Sequence, residues 1–283
     1  MTYPALYKSA DELSIDSQRL FYWVLFCHLA TLTIAAIISL VNSSEAWVAV
    51  VQAVTLLIAL GCSIFLFAIR PERQWYEARA VAESIKTITW RYISKIHPYN
   101  NKDDDDRKQF LDTLRRLVDL NAGVAKKLRK HIGASQITKK MQTCRDMQLQ
   151  ERVANYVKER VEDQLDWYRR KTAFNTKLSR RFFIALIAAN SIALLSSLLK
   201  IYCPTFQYWP VDVFVALACA LLSWIQAKRY SENATAYALA AQEIGIVRDQ
   251  AQLIQTDQEF HQYVTDAENA FSREHTQWIA KQS

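Results

Sequence analysis

Glycine and proline are scarce: the 283-residue chain holds four of the first and five of the second. A strand-rich fold needs turn residues more often than that, so a helical chain is expected. Five cysteines, Cys27, Cys62, Cys144, Cys203 and Cys219, show no C-x-x-C spacing and no paired histidine. That pattern excludes a zinc site or a disulfide framework, and they read as small packing residues. A glycine-rich phosphate loop is also missing. His97, His131, His261 and His275 lack metal spacing, and Cys144 has no base beside it. The expected protein is not an enzyme and takes no cofactor and no metal.

What the chain does have is apolar residues, and they are clustered. Phe21 to Val41 carries His28 as its only ionisable group, and Ala46 to Ile69 carries no charge. Phe182 to Leu199 and Tyr208 to Ala227 follow, the last interrupted by Pro210 and Asp212 near its start. A helix of about 20 apolar residues crosses the hydrocarbon layer of a bilayer, so each run predicts a span. The first run is followed at once by another and lacks a small-residue cleavage site, so it reads as a span and not as a removable leader.

Charge orients the spans. The connectors Asn42 to Glu45 and Lys200 to Gln207 hold a single lysine between them. Basic residues stand instead at the other ends: Lys8 and Arg19, Arg70 and Arg73, Arg169 to Lys171 with Lys177, Arg180 and Arg181, then Lys228 and Arg229. The positive-inside rule predicts both termini and the middle segment in the cytoplasm. The same placement accounts for the net charge of +7 without nucleic acid as a partner. The expected fold class is all-α, with four transmembrane helices in two hairpins and long helical cytoplasmic extensions. Two related units follow, 1–145 and 146–283.

Pro71 marks the exit of the second span, Glu72 to Ile96 has helical composition, and His97-Pro98 breaks it. Phe110, Leu111, Leu114, Leu117, Val118, Val124 and Leu128 form an amphipathic stripe that needs a partner surface, in this chain or a second subunit. From Leu149 to Lys200 there is neither Gly nor Pro, which predicts one helix running into the third span. Gln226 to Ile244 continues the fourth span without a breaker until Gly245. Asp103 to Asp106 read as acids that cap a helix starting near Arg107 and favour its dipole; a divalent-cation site is the competing reading.

Polar groups within spans need a partner or water. Gln52 and Thr55 share a face of the second span, Asn190 and Ser197 one of the third, Asp212 and Ser223 one of the fourth. These six are the candidate pore-lining residues; the plainer alternative is close helix packing through small and weakly polar side chains. Trp167, Tyr168, Arg169 and Arg170 form a candidate cytoplasmic ligand or interface group, or an ordinary membrane-interface girdle.

Two stretches resemble the bacterial SLATT families of two-transmembrane domains. The first is Tyr3-Pro4-Ala5-Leu6-Tyr7-Lys8-Ser9-Ala10-Asp11, with Ser17-Gln18-Arg19 before a span. The second is Arg160-Val161-Glu162-Asp163-Gln164-Leu165-Asp166-Trp167-Tyr168, then Lys171, Asn175 and Arg180-Arg181. The resemblance implies a tandem, homo-oligomeric effector of the bacterial inner membrane. It implies a protein that forms a pore or disrupts that membrane in a nucleotide-signalled anti-phage or conflict response. Membrane lipid and a separate nucleotide sensor or synthetase are the implied partners. The competing functions are a non-conducting helical scaffold and a housekeeping channel.

Overall fold

Leu, Ala, Glu, Lys and Gln are good helix formers, and in the computed structural model every regular element is helical. It describes residues 2–41 and 45–280, with side chains through Phe271. The connector residues Asn42, Ser43 and Ser44, and the side chain of His275, lie outside the described residues. In chain order the elements are α1 (Ala5–Ser39), α2 (Ala46–Ile69), α3 (Pro71–Ile93), α4 (Asp103–Leu120), α5 (Ala122–Ala125), α6 (Lys139–Arg145) and α7 (Leu149–Tyr156). A π turn (Val157–Glu162) then leads into α8 (Asp163–Tyr202), followed by α9 (Val211–Lys228), α10 (Tyr230–Gln250) and α11 (Asp257–Ala280).

Four of the helical stretches are long and apolar enough to cross a membrane: Ala5–Ser39, Ala46–Ile93, Leu149–Tyr202 and Val211–Leu253. Each expected span falls on one of them. The fourth begins at Val211, because Pro210 stands at its N-cap, where a missing N–H costs nothing. Asp212 then sits in the first turn, where the helix dipole favours a negative charge.

Both hairpins end on the same device. Arg70 after α2 and Arg229 after α9 take left-handed backbone angles, φ 49° and 48°. Their N–H groups donate to the carbonyls of Leu66 at 3.1 Å and Ile225 at 2.8 Å. A side chain in this region costs about 1–2 kcal/mol, and both hairpins accept it at the basic residue that leaves the apolar run. α10 therefore starts afresh at Tyr230, and it passes through Gly245 without breaking.

Packing divides the chain into two units, each drawn from both halves of the sequence. The span unit is Arg19–Pro71 with Lys171–Ala236; the extension unit is Met1–Gln18, Glu72–Arg170 and Tyr237–Ser283. The span unit turns its large apolar side chains outward: Trp23, Leu57, Phe67 and Leu194 are all more than half exposed. Inverted burial of that kind suits lipid, not water. Within it, the His28 Nδ1 lies 3.0 Å from the Ala59 carbonyl and 3.4 Å from Ser63 Oγ, tying α1 to α2. Across the same unit, Trp224 packs beside Tyr22 and Phe26, with the Lys228 ammonium over both the Tyr22 and Trp224 rings.

The extension unit has an ordinary dry interior in two clusters. One joins Ala10 of α1 with Ala78, Ala82, Ile85 and Tyr92 of α3, Phe110 and Leu114 of α4, and Met141 of α6. The small residues let α1 and α3 approach closely, and Phe110, Leu114, Leu117, Val124 and Leu128 of the expected stripe find their partner within this chain, while Leu111 is exposed. The other cluster joins Trp90, Val153, Tyr156, Val161, Leu165 and Ile244 with Phe260, Val264, Ala267 and Phe271 of α11.

Candidate functional site

α11 is amphipathic, and Phe260, Val264, Ala267 and Phe271 recur every three or four residues on its buried face. Glu268 lies in that stripe and is fully buried. The matching face of the helix before the third span is set by Val153, Tyr156, Val161 and Leu165. Their spacing is three, five and four residues. A step of five leaves one face of an α-helix, so the chain inserts a π turn at Val157–Glu162, which keeps all four on the core side. Short π segments often mark functional positions.

Four donors converge on the Glu268 carboxylate. Arg160 binds it in bidentate fashion, Nε to Oε1 and Nη2 to Oε2, both at 2.8 Å. The Tyr156 hydroxyl donates at 2.9 Å and the Thr87 hydroxyl at 2.8 Å. The Arg160 guanidinium also lies 4.6 Å from the Phe271 ring centre. Nearby, Trp90 Nε1 donates to the Tyr3 hydroxyl at 3.0 Å. Burial works against the Arg160 charge, but the Glu268 carboxylate outweighs it and raises the guanidinium pKa above its ordinary value. Burial and the same carboxylate push the Tyr156 phenol well up. Tyr3 is pushed up by burial to about 12, against the pull of Arg160. Stranding either partner of such a buried pair costs about 3–5 kcal/mol.

Two more charged groups brace the unit. Arg79 pairs with Asp11 at 3.2 Å and with Glu83 at 2.6 Å, while Lys86 lies 4.0 Å from the same Glu83. Burial raises the Asp11 carboxyl, opposed by Arg79, and lowers the Lys86 ammonium, opposed by Glu83. Arg145, on α6, bonds to buried Asp106, to Asp103 at 3.0 Å and to the carbonyls of Tyr92 and Tyr99. The acidic run thus differs from the expected cap: the helix starts at Asp103, Lys102 is its N-cap without a side-chain bond, and Asp106 is an internal ion-pair partner.

The residues singled out from the sequence lie elsewhere. Thr55 is buried and donates to the Val51 carbonyl at 2.8 Å, and Gln52 beside it is half-buried. Asn190, Ser197, Asp212 and Ser223 are exposed on the span unit, with the Asn190 amide bonded to the Leu186 carbonyl of its own helix at 2.9 Å. Among the described residues no hydrogen bond or ion pair joins any two of these six. Trp167 and Tyr168 form an aromatic cluster with Tyr237, ring centres 4.9–5.7 Å apart, while Arg169 and Arg170 are exposed.

The Glu268 group was not singled out in the sequence, although one signal marks it: an acid inside the apolar stripe of α11. All five cysteines are free thiols. Among the described residues no group of three His, Cys, Asp or Glu is placed to hold a metal ion.

Two hairpins of long apolar helices, with a charged helical unit drawn from their extensions, define a multi-pass helical membrane protein. Residues 4–153 match the family model described as SMODS and SLOG-associating 2TM effector domain 3, SLATT_3. Residues 156–278 match that of SMODS and SLOG-associating 2TM effector domain 1, SLATT_1. The chain belongs to the SLATT family, as a tandem of two such domains. No curated protein and no solved structure matches it.

Proposed function

We propose that this chain is a bacterial inner-membrane effector that oligomerises and, on an upstream signal, forms a pore or otherwise disrupts the membrane. Both termini and the extension unit are cytoplasmic, and the chain is not an enzyme. The observation that carries the reading is the exposure of Asn190, Ser197, Asp212 and Ser223 on the span unit. Polar groups facing hydrocarbon are costly, and packing against further copies would give them hydrogen-bonding partners or a water-filled channel. The effector description of both matched domains supports the same conclusion. The signal comes from a separate nucleotide sensor or synthetase, or from a ligand at the group Trp167, Tyr168, Arg169 and Arg170, whose rings and guanidinium groups suit stacking and charge pairing.

The test is ion flux from dye-loaded liposomes. The full chain, with candidate cyclic nucleotides added in turn, is expected to release dye. Asn190→Leu with Ser197→Leu is expected to cut the release at least tenfold while leaving insertion and oligomer size unchanged. An inserted oligomer that stays silent with every nucleotide, and in cells, would instead favour a scaffold.

A further inference from the structure

α7, the π turn and α8 form one continuous helix, Leu149–Tyr202. Its π turn reconciles two apolar registers. Before it the core face is Val153 and Tyr156; after it the core face is Val161 and Leu165, with Tyr168 packed alongside. An unbroken α-helix continuing from Val153 and Tyr156 would put Gln164 and Trp167 in place of Val161 and Leu165, at steps of four and three from Arg160, which is buried in the present setting as well. The same sequence therefore has two helical settings. They differ by one residue step, which is about 100° of rotation and 1.5 Å of rise for everything after the turn.

What selects the π setting is α11. Its Phe260, Val264, Ala267 and Phe271 share the core with Val161 and Leu165. Glu268 holds Arg160, in the middle of the turn, and Tyr156, the residue just before it. It also holds Thr87 of α3, and the neighbouring Asn269 accepts from Arg91 at 2.8 Å. Without α11 the apolar reason for the five-residue step goes, and the backbone returns to the far commoner α geometry. We infer that the π turn Val157–Glu162 is a rotation switch for α8, locked by the Glu268 carboxylate of α11. Release of α11 turns the membrane-spanning part of α8 about its own axis and changes which side chains, Asn190 and Ser197 among them, meet lipid. The inference rests on α8 crossing the membrane; it does not require conduction.

The test reads the phase of lipid exposure along α8. Single cysteines are placed at successive positions from Phe183 to Leu199 in the full chain, with the five native cysteines replaced by alanine, and spin-labelled in bilayers. Oxygen accessibility then gives the angle of the lipid-facing side. The backgrounds compared are wild type, Glu268→Gln, a deletion of exposed Lys158 that removes the extra residue outright, and that deletion with Glu268→Gln added. Glu268→Gln is expected to shift the phase by about 100°, with hydrogen exchange in residues 257–271 rising at least tenfold. The deletion joins Tyr156 to Val161 at an α step of four, so it is expected to keep the wild-type phase and to hold it when Glu268→Gln is added. A second route frees α11 from the folded, inserted chain by cleavage at a protease site placed after Gln255; it is expected to give the shifted phase of Glu268→Gln. A phase displaced by about 100° in the deletion would overturn the two-register argument. A wild-type phase once α11 is released, by Glu268→Gln or by cleavage, would overturn the lock. Liposome leakage is read separately, so a silent pore leaves this result intact.

Discussion

Arg145 offers the sharpest test of how the extension unit is held. Its guanidinium is almost fully buried, and so is the Asp106 carboxylate it meets. It also supplies hydrogen bonds to the Tyr92 and Tyr99 carbonyls and reaches Asp103 at 3.0 Å. Arg145→Met keeps most of the side-chain volume but strands Asp106, at a cost of about 3–5 kcal/mol. The orphaned Tyr99 carbonyl adds about 1–3 kcal/mol. Asp106→Leu strands the arginine in turn. The double variant leaves no unpaired charge, so the three free energies should be non-additive by about 0.5–3 kcal/mol. Chemical unfolding of the full chain in mild detergent, followed by tryptophan fluorescence, measures all three. A loss below about 0.5 kcal/mol for Arg145→Met, the range of an ordinary surface change, would refute the argument. So would a double variant whose cost equals the sum of the singles.

Two further outcomes are expected. Burial lowers the His261 pKa below its usual value, with Asp257 opposing and Arg152 reinforcing the shift. A depressed imidazole pKa contributes stability above the unfolded value near 6.5, and that stability is lost as pH falls through the folded pKa. Protection of α11 against hydrogen exchange, taken relative to the intrinsic rate at each pH, should therefore fall from about pH 6.5 into more acidic buffer, and His261→Gln should flatten that dependence; an unchanged slope would remove the assignment. At the left-handed cap, Arg229→Gly should raise the thermal midpoint through relief of about 1 kcal/mol of backbone strain, while Arg229→Val should lower it. A glycine variant that melts earlier would contradict the strain argument.

The sequence makes the spans plain because a bilayer demands a run of apolar residues, and Phe21 to Val41 or Ala46 to Ile69 has no other explanation. It makes the break at His97-Pro98 plain for a similarly local reason. The Glu268 group is different, since Arg160 and Glu268 stand 108 positions apart. Each resembles any solvated charge on an amphipathic helix until its neighbours are counted. Asp106 sits with Phe110 and Leu114 at steps of four, and Glu268 with Val264 and Phe271 at steps of four and three. A charge inside an apolar stripe is thus the readable trace of a buried ion pair. Its partner is not readable, because pairing depends on which helices pack together. The exposure of Asn190 and Ser197 was likewise beyond reach: helical spacing puts residues on one face but does not say what that face meets.

One feature of the extension unit bears on how the protein is made. Its larger core needs Phe260, Val264, Ala267 and Phe271 of α11 together with Trp90 from α3 and Val153 to Leu165 from the helix before the third span. Synthesis runs from the N-terminus, so all four spans are made before α11 exists. For that interval the nascent chain presents both hairpins to the membrane while the Arg160 guanidinium waits for its carboxylate. Completion of this core is therefore a late event, and a ribosome that stalls after Gln255 would release a product with every span and no Glu268.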